Sequence, residues 1–464
     1  MTPPAASAVA QRKGRFRGAL AESPPLWWAL VYFFSLLCGY YVLRPVRDAM
    51  GASTDVAAIF PRSWIALGER HGFEVGAFTL QLLFTGTFVA MLLLQPVYGA
   101  LVSRYPRRVF LPVVYLFFIG CLVGFWWAFG TGASGRGALF FIWVAVFNLF
   151  AVTVFWSFMA DVFDNEHAKR VYGYIGAGGT LGALCGPVIT RFLVGPLGVA
   201  NLLLVSAGFL AACLLCIMKL RPWARRRERE LGDSGGEQPM GGTMLAGLRL
   251  VWERPLLRAL ALLMFFGVGV GTLLYNEQAA IVREFYPTAE GATRYYSTID
   301  WAVNGLTLVV QVLLTRLLLR RYGVAPLLLL PAIAILLGYT LLAASPLPLL
   351  VATVQVVTRA SEFSLSKPAR ETLYTRVDRE SRYKAKAAID TVVYRGGDLT
   401  FVWLHKALSM LGSKVVFLSG IGIAAGLVYG AWRVARAERS LPASPGPGNG
   451  AGTGSAEERQ VHAT

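Results

Sequence analysis

Between residues 25 and 437 the chain is a series of long apolar runs separated by short polar connections. A run of about 18 apolar residues or more, rising about 1.5 Å per residue as a helix, covers the roughly 30 Å of a bilayer's hydrocarbon. The first run occupies 25–47, and eleven more start near 77, 109, 139, 171, 200, 256, 297, 325, 347, 385 and 414. A spanning helix satisfies its own backbone polar groups, so the pattern predicts an all-α polytopic membrane protein of about 12 transmembrane helices in two six-helix halves. The polar intervals set the boundaries: a basic lead at 1–22, an N-terminal half at 23–220, a linker at 221–255, a C-terminal half at 256–437 and a tail at 438–464. The tail lacks apolar periodicity and is expected to be disordered. The connection from about 48 to 76, with Pro61 and Trp64, is expected outside the membrane, with a short surface helix.

Composition agrees, with 55% hydrophobic and 15% charged residues, and the formal charge of +18 takes its meaning from position. Arg104, Arg107, Arg108, Lys169, Arg170, Arg221, Arg225, Arg316, Arg320, Arg321, the cluster at 376–386 and Arg433, Arg436 and Arg439 fall on one side, whereas the other receives Arg136, Arg191, Arg283, Arg294 and Lys414. The positive-inside rule makes the first side cytoplasmic, with both termini, in a cell inner membrane. Basic residues spent on orientation do not call for nucleic acid as a partner. The first run is too long for a signal-peptide core and no small-residue cleavage site follows it. The five cysteines lie in apolar runs as packing residues. The four histidines are scattered, and no nucleophile elbow, carboxylate pair or phosphate loop occurs, so no enzyme, metal or cofactor is expected.

The densest charge lies at 367–398, KPARETLYTRVDRESRYKAKAAIDTVVYRGGD, between two apolar runs. Unpaired charge in hydrocarbon costs several kcal/mol, so this stretch reads as a cytoplasmic hairpin whose last charges enter a cavity. Residues 368–375 (PARETLYT), Asp378, 384–390 (KAKAAID) and 395–398 (RGGD) resemble the late signature of the ATP/ADP translocase family, whose fold is similar to the major facilitator superfamily. The resemblance extends to 40–48 (YYVLRPVRD) and to 155–179 (FWSFMADVFDNEHAKRVYGYIGAGG). It implies nucleotide exchange by alternating access, with Arg47 standing where the family carries a lysine needed for transport. Where the family shows R-x-G-K, this chain has Asp398 in place of the lysine, which lowers the positive potential.

Individual charges supply the candidate site. Arg44 and Arg47 share a helical face before Asp48, either gripping an anion or snorkelling to the interface. Arg395, flanked by Asp390 and Asp398, is either a second phosphate contact or half of a gate, or else a neutralised pair with Asp398 at i+3 that holds helices together. Lys384 and Lys386 either attract an anion at the cytoplasmic mouth or anchor the positive side. Glu277 and Asp300 either carry a coupling proton, or pair with an arginine across the halves, or sit wet near the outer ends; Arg359 and Glu362 most simply pair with each other. Gly178, Gly182 and Gly186 recur every four residues, suiting close approach of helices, whether in halves that rock past each other or in static packing. A shift of 217 positions places Arg104 on Arg321, Asp161 on Asp378, Lys169 on Lys386 and Gly179 on Gly396, as parallel repeats would. The expectation is a secondary active transporter of an anionic small molecule, with Arg44, Arg47, Arg395 and Lys386 binding it. Its other partner is the lipid bilayer, and a monomer is one expected state. A carrier of another organic solute and a non-transporting scaffold are the alternatives.

Overall fold

The computed structural model describes residues 25–104, 107–163, 165–231, 244–374, 376, 377, 385, 386 and 388–440, with side chains in all but 95–104, 107–109, 165–170, 228–231 and 244–246. The basic lead, much of the linker, Asp378, Lys384 and the tail therefore lie outside the described residues. Nine described segments are long and apolar enough to cross a membrane. They include α1 (Pro25–Ala52), α3 (Phe110–Gly130 of Arg107–Gly130), α4 (Arg136–Val162), α7 (Pro255–Phe285), α8 (Ala289–Tyr322), α9 (Ala325–Ala344) and α12 (Ser413–Arg439). Another is the Val75–Leu94 portion leading into α2 (Thr79–Arg104).

The longest segment, Val171–Arg227, is two helices that meet at Gly198, where φ is 75° and ψ 165°. Its packing on α1 proves the reversal. Gly178, Gly182 and Gly186 lie against Leu30, Phe34 and Tyr41 in rising order. Beyond the break, Ser206 Oγ donates to the Gly39 carbonyl and Cys213 Sγ to that of Tyr32, in falling order. Thus α5 (165–197) runs with α1, and α6 (199–231) runs against it. Two further rods carry more charge: α10 (348–374), interrupted by a π-turn at Glu362–Ser366, and α11 (389–409), which opens on a π-turn at Ile389–Val393. Among the described residues twelve rods result, the number the hydropathy pattern predicts. Helix α8 begins at Ala289 and not near 297, because Thr288 caps it with a side-chain bond to the Gly291 N–H and Glu290 stands in its first turn. Apolar length alone does not register such a polar extension.

Each half has its own apolar core, one built around Tyr32, Tyr115, Phe147 and Phe155, the other around Leu260, Leu273, Tyr339 and Phe417. Their topologies repeat. In the second half α7 takes the place of α1: Phe401 of α11 sits on Gly269, while Gly426 and Gly430 of α12 meet Phe266 and Leu263 in reverse order. The repeat register differs by one at its glycine. Gly396 faces open space, and it is Gly397 that packs on Phe265 and Val268. The 178–182–186 stripe also serves a different purpose from a sliding surface between halves: it seats α5 on α1 inside one half. Between lipid-solvated helices apolar burial gives no drive to associate, so such close backbone contact supplies the packing instead.

A third apolar cluster joins the halves. Ala49, Ile59, Leu80 and Phe141 of the first pack with Ala279, Val282, Tyr296 and Val402 of the second. It lies at the ends of α1 and α7, because Arg283 donates to the Gly51 and Ala52 carbonyls. Since α12 runs against α7, residues 25 and 439 lie together at the opposite end. The connection after α1 carries the surface helix Arg62–Arg70, with Trp64 and Leu67 exposed.

Candidate substrate site

Asp300 of α8 is 1% exposed and stands between two arginines. Its Oδ1 lies 2.8 Å from Arg359 Nη2 of α10, in the same half, and its Oδ2 lies 3.7 Å from Arg44 Nε of α1, in the other. Arg44 Nε is also 3.8 Å from Asp48 Oδ2. Asp48 Oδ1 accepts from Arg47 Nε at 2.9 Å and from the Tyr275 hydroxyl of α7 at 3.0 Å. A chain of alternating charge, Arg47, Asp48, Arg44, Asp300, Arg359, therefore crosses from one half to the other. Asp300 and Arg359 each lie eleven residues from the far-end starts of their helices, Ala289 and Pro348, or about 17 Å at 1.5 Å per residue. That depth is close to the middle of a bilayer.

A second group faces the first. Arg395 Nη1 of α11 reaches Asp398 Oδ2 at 3.3 Å, and Asp398 Oδ1 accepts from Thr272 Oγ1 of α7 at 3.0 Å. Asp398 is within electrostatic reach of Arg47, and Tyr394, whose ring lies under Arg395, is within reach of Arg44. The Arg395 side chain keeps 30% of its surface accessible. Intramembrane arginines almost always face the bundle interior or a water-filled cavity, and this partial exposure fits such a placement. Arg44 Nε and Asp300 Oδ2 make no hydrogen bond among the described residues, so the contact between halves is purely coulombic there.

Several expected pairings are corrected. Arg359 does not pair with Glu362: it turns to Asp300, and Glu362 takes Arg370 at 2.7 Å, because the π-turn Glu362–Ser366 shifts the helical phase after Ser361. Glu277 is neither wet nor linked to an arginine; it is buried, its Oε1 2.8 Å from His405 Nε2 of α11. Asp300 does pair across the halves. Lys386 lies at the terminal end, both carboxylate oxygens of Glu371 2.7 Å from its Nζ, and is not brought to the central group. Asp390 is exposed near that same end, without joining Arg395. His405, Tyr275 and Thr272 carry no motif, and Arg370, although inside 368–375, gives no sign in the sequence of its pairing with Glu362. The signal available was the run of polar residues Thr272, Asn276, Glu277 and Gln278 inside an apolar span, which marks a buried face of α7.

Hydrogen bonds between the halves gather mainly at the end away from the termini, and one, from Asn304, lies a turn beyond Asp300 on the side of the termini. Gln81 Nε2 donates to the Val402 carbonyl at 3.2 Å, Trp403 Nε1 to Thr85 Oγ1 at 3.2 Å, and Asn304 Nδ2 to the Ala183 carbonyl at 2.8 Å. Arg191 bonds Thr298, and Lys406 Nζ stands 4.9 Å from the Phe78 ring centroid.

Residues 49–366 match the Major Facilitator Superfamily. A bacterial homologue of the human lysosomal transporter Spinster, solved inward-facing and unoccupied, aligns over 89% of this chain and 96% of its own at 16% identity, with a TM-score of 0.52. The nucleoside transporter NupG aligns over 86% and 99% at 13% identity, with a TM-score of 0.54. A POT family transporter in complex with 5-aminolevulinic acid aligns over 89% and 96% at 11% identity, with a TM-score of 0.60. At these identities the likeness concerns the fold. No curated protein matches the sequence.

Proposed function

The chain belongs to the Major Facilitator Superfamily, a multi-pass membrane transporter of a small molecule and not an enzyme, and we propose that the solute it carries is an anion held by Arg44, Arg47 and Arg395. The observation that carries this reading is the charge of the central group: the arginines 44, 47, 359 and 395 stand against the aspartates 48, 300 and 398, leaving one positive charge in surplus. An anion entering between the two groups completes the neutralisation. Its oxygens compete with Asp48 for Arg47 and with Asp398 for Arg395, since guanidinium forks bind carboxylate and phosphate alike.

Such competition supplies a mechanism. Both contacts of Asp300 are coulombic, but Arg359 of its own half lies nearer, at 2.8 Å against 3.7 Å for Arg44 of the other, so the contact between halves is the one that yields. Once Arg44 is drawn to the solute, the Tyr275–Asp48 bond and the Arg44–Asp300 contact open together and the halves rock. With the termini cytoplasmic in a cell inner membrane, closure at the far end makes this the inward-facing state.

The resemblance of 368–375, 384–390 and 395–398 favours a nucleotide, exchanged for one differing by a single charge, an exchange driven or opposed by about 2.3 kcal/mol per 100 mV. A second reading follows from the charge balance. A surplus of one matches a singly charged organic anion better than a polyphosphate, because Asp398 occupies Arg395. The test is uptake of labelled ATP and ADP into preloaded proteoliposomes, beside uptake of labelled monocarboxylates, for intact protein, Arg47→Ala and Arg395→Ala. The anion reading expects saturable uptake of one class, reduced at least about tenfold by either substitution, the loss of one charged contact of about 1.5 kcal/mol. Uptake of neutral solutes alone, unaffected by both substitutions, sinks it.

A further inference from the structure

A cleft of about 910 Å³ opens on the outer side of the C-terminal half, at the end of the bundle that carries the termini. Its walls come from the connecting helix Met244–Glu253 and from α7, α11 and α12, with Val251, Leu262, Phe265 and Val393 giving it an apolar lining. Two arginines stand on its rim: Arg258 in the first turn of α7, and Arg433, six residues before the end of α12 at Arg439, or about 9 Å along the helix. Arg433 donates to the Tyr429 hydroxyl at 2.9 Å, and neither arginine has a carboxylate partner among the described residues. The cleft is separate from the central group, since Arg395 and Asp398 of α11 point to α7 and the other half while Gly396 opens to the cleft.

The chemistry is two-sided. Apolar walls at the depth of the acyl chains suit hydrocarbon, and guanidinium groups without a carboxylate partner toward the helix ends suit phosphate. Trp252, 74% exposed, and Tyr429 place amphipathic rings at the level where headgroups meet the chains. Basic pockets between spanning helices at a membrane surface hold anionic headgroups. A soluble anion would gain nothing from the walls, and a neutral lipid nothing from the arginines. We propose that this cleft binds an anionic phospholipid, with its phosphate between Arg258 and Arg433 and an acyl chain against Phe265 and Val393. A lipid so seated ties the connecting helix to α7 and α12.

The test uses the full chain in nanodiscs of equal phosphatidylglycerol and phosphatidylcholine with identical acyl chains, the retained lipids being counted by native mass spectrometry. About 1 kcal/mol per arginine predicts roughly thirty-fold preference for phosphatidylglycerol. The Arg258→Gln, Arg433→Gln double variant is expected to lose that preference. Gly396→Leu, at a position where a Cβ meets no other atom within 4 Å, fills the cleft and is expected to lower retention of both lipids without disturbing the helix. Equal retention of the two lipids by the intact protein overturns the proposal, as does full preference in the double variant. Displacement of the lipid by an equal concentration of glycerol phosphate also overturns it, by showing a site for soluble anions.

Discussion

Asp300 shows what a single carboxylate does when two arginines need it. With Arg359 2.8 Å from its Oδ1 and Arg44 3.7 Å from its Oδ2, its single negative charge is shared between one arginine of each half. Removing one partner from a buried ion pair costs about 3–5 kcal/mol because the other charge is left uncompensated. Asp300→Asn is therefore expected to lower the thermal unfolding midpoint of the purified protein by several degrees, and adding Arg359→Gln to restore much of the loss. Additive losses in the double variant count against the pairing. The sequence made Asp300 and Arg359 conspicuous as charges in apolar spans, but their pairing depends on how α8 and α10 face each other. A helical i, i+3 rule, which works for Arg395 and Asp398, points Arg359 to Glu362. The π-turn that changes the phase is sustained by tertiary contact: Thr315 Oγ1 of α8 donates to the Ser364 carbonyl at 2.8 Å. No local motif encodes that bond.

At the scale of elements, glycine decides which rods touch. A Cβ on Gly182 would overlap the Phe34 carbonyl oxygen, a backbone atom that cannot step aside, whereas one on Gly176, a turn and a half earlier, meets nothing. We expect Gly182→Leu to destabilise the N-terminal half by about 3 kcal/mol or more through overpacking. Gly176→Leu should be neutral or slightly stabilising through helix propensity. Melting curves in detergent separate the two, and equal behaviour of both variants would falsify the assignment of the α1–α5 contact. The every-fourth-residue spacing was legible as a close-packing face. Its partner was not, because spacing names the face and only the fold names the neighbour. The same holds for His405, whose bond to Glu277 joins elements 128 positions apart in the chain.

For the molecule as a whole, closure at one end is the dominant fact. Gln81, Thr85 and Phe78 of one half meet Val402, Trp403 and Lys406 of the other, beside the shared apolar cluster. If the halves must part there, a reversible short cross-link between Thr85→Cys and Trp403→Cys should bring uptake in proteoliposomes to background, with recovery on reduction. Undiminished uptake by fully cross-linked protein would exclude rocking at this end. The sequence announced twelve spans and two halves through hydropathy and basic loops, but a conformation is a relation between halves, and no periodicity within either reports it.

The closed end has one more property. Three of its bonds run from a side chain of one half to a main-chain carbonyl of the other: Gln81 to Val402, and Arg283 to Gly51 and to Ala52. A carbonyl is present whatever residue bears it. Mutational drift at 402, 51 and 52 thus leaves the acceptors in place, while drift at 81 or 283 removes a donor outright. Heredity guards this latch on one side only, and a lineage can vary half of its parts without losing the lock.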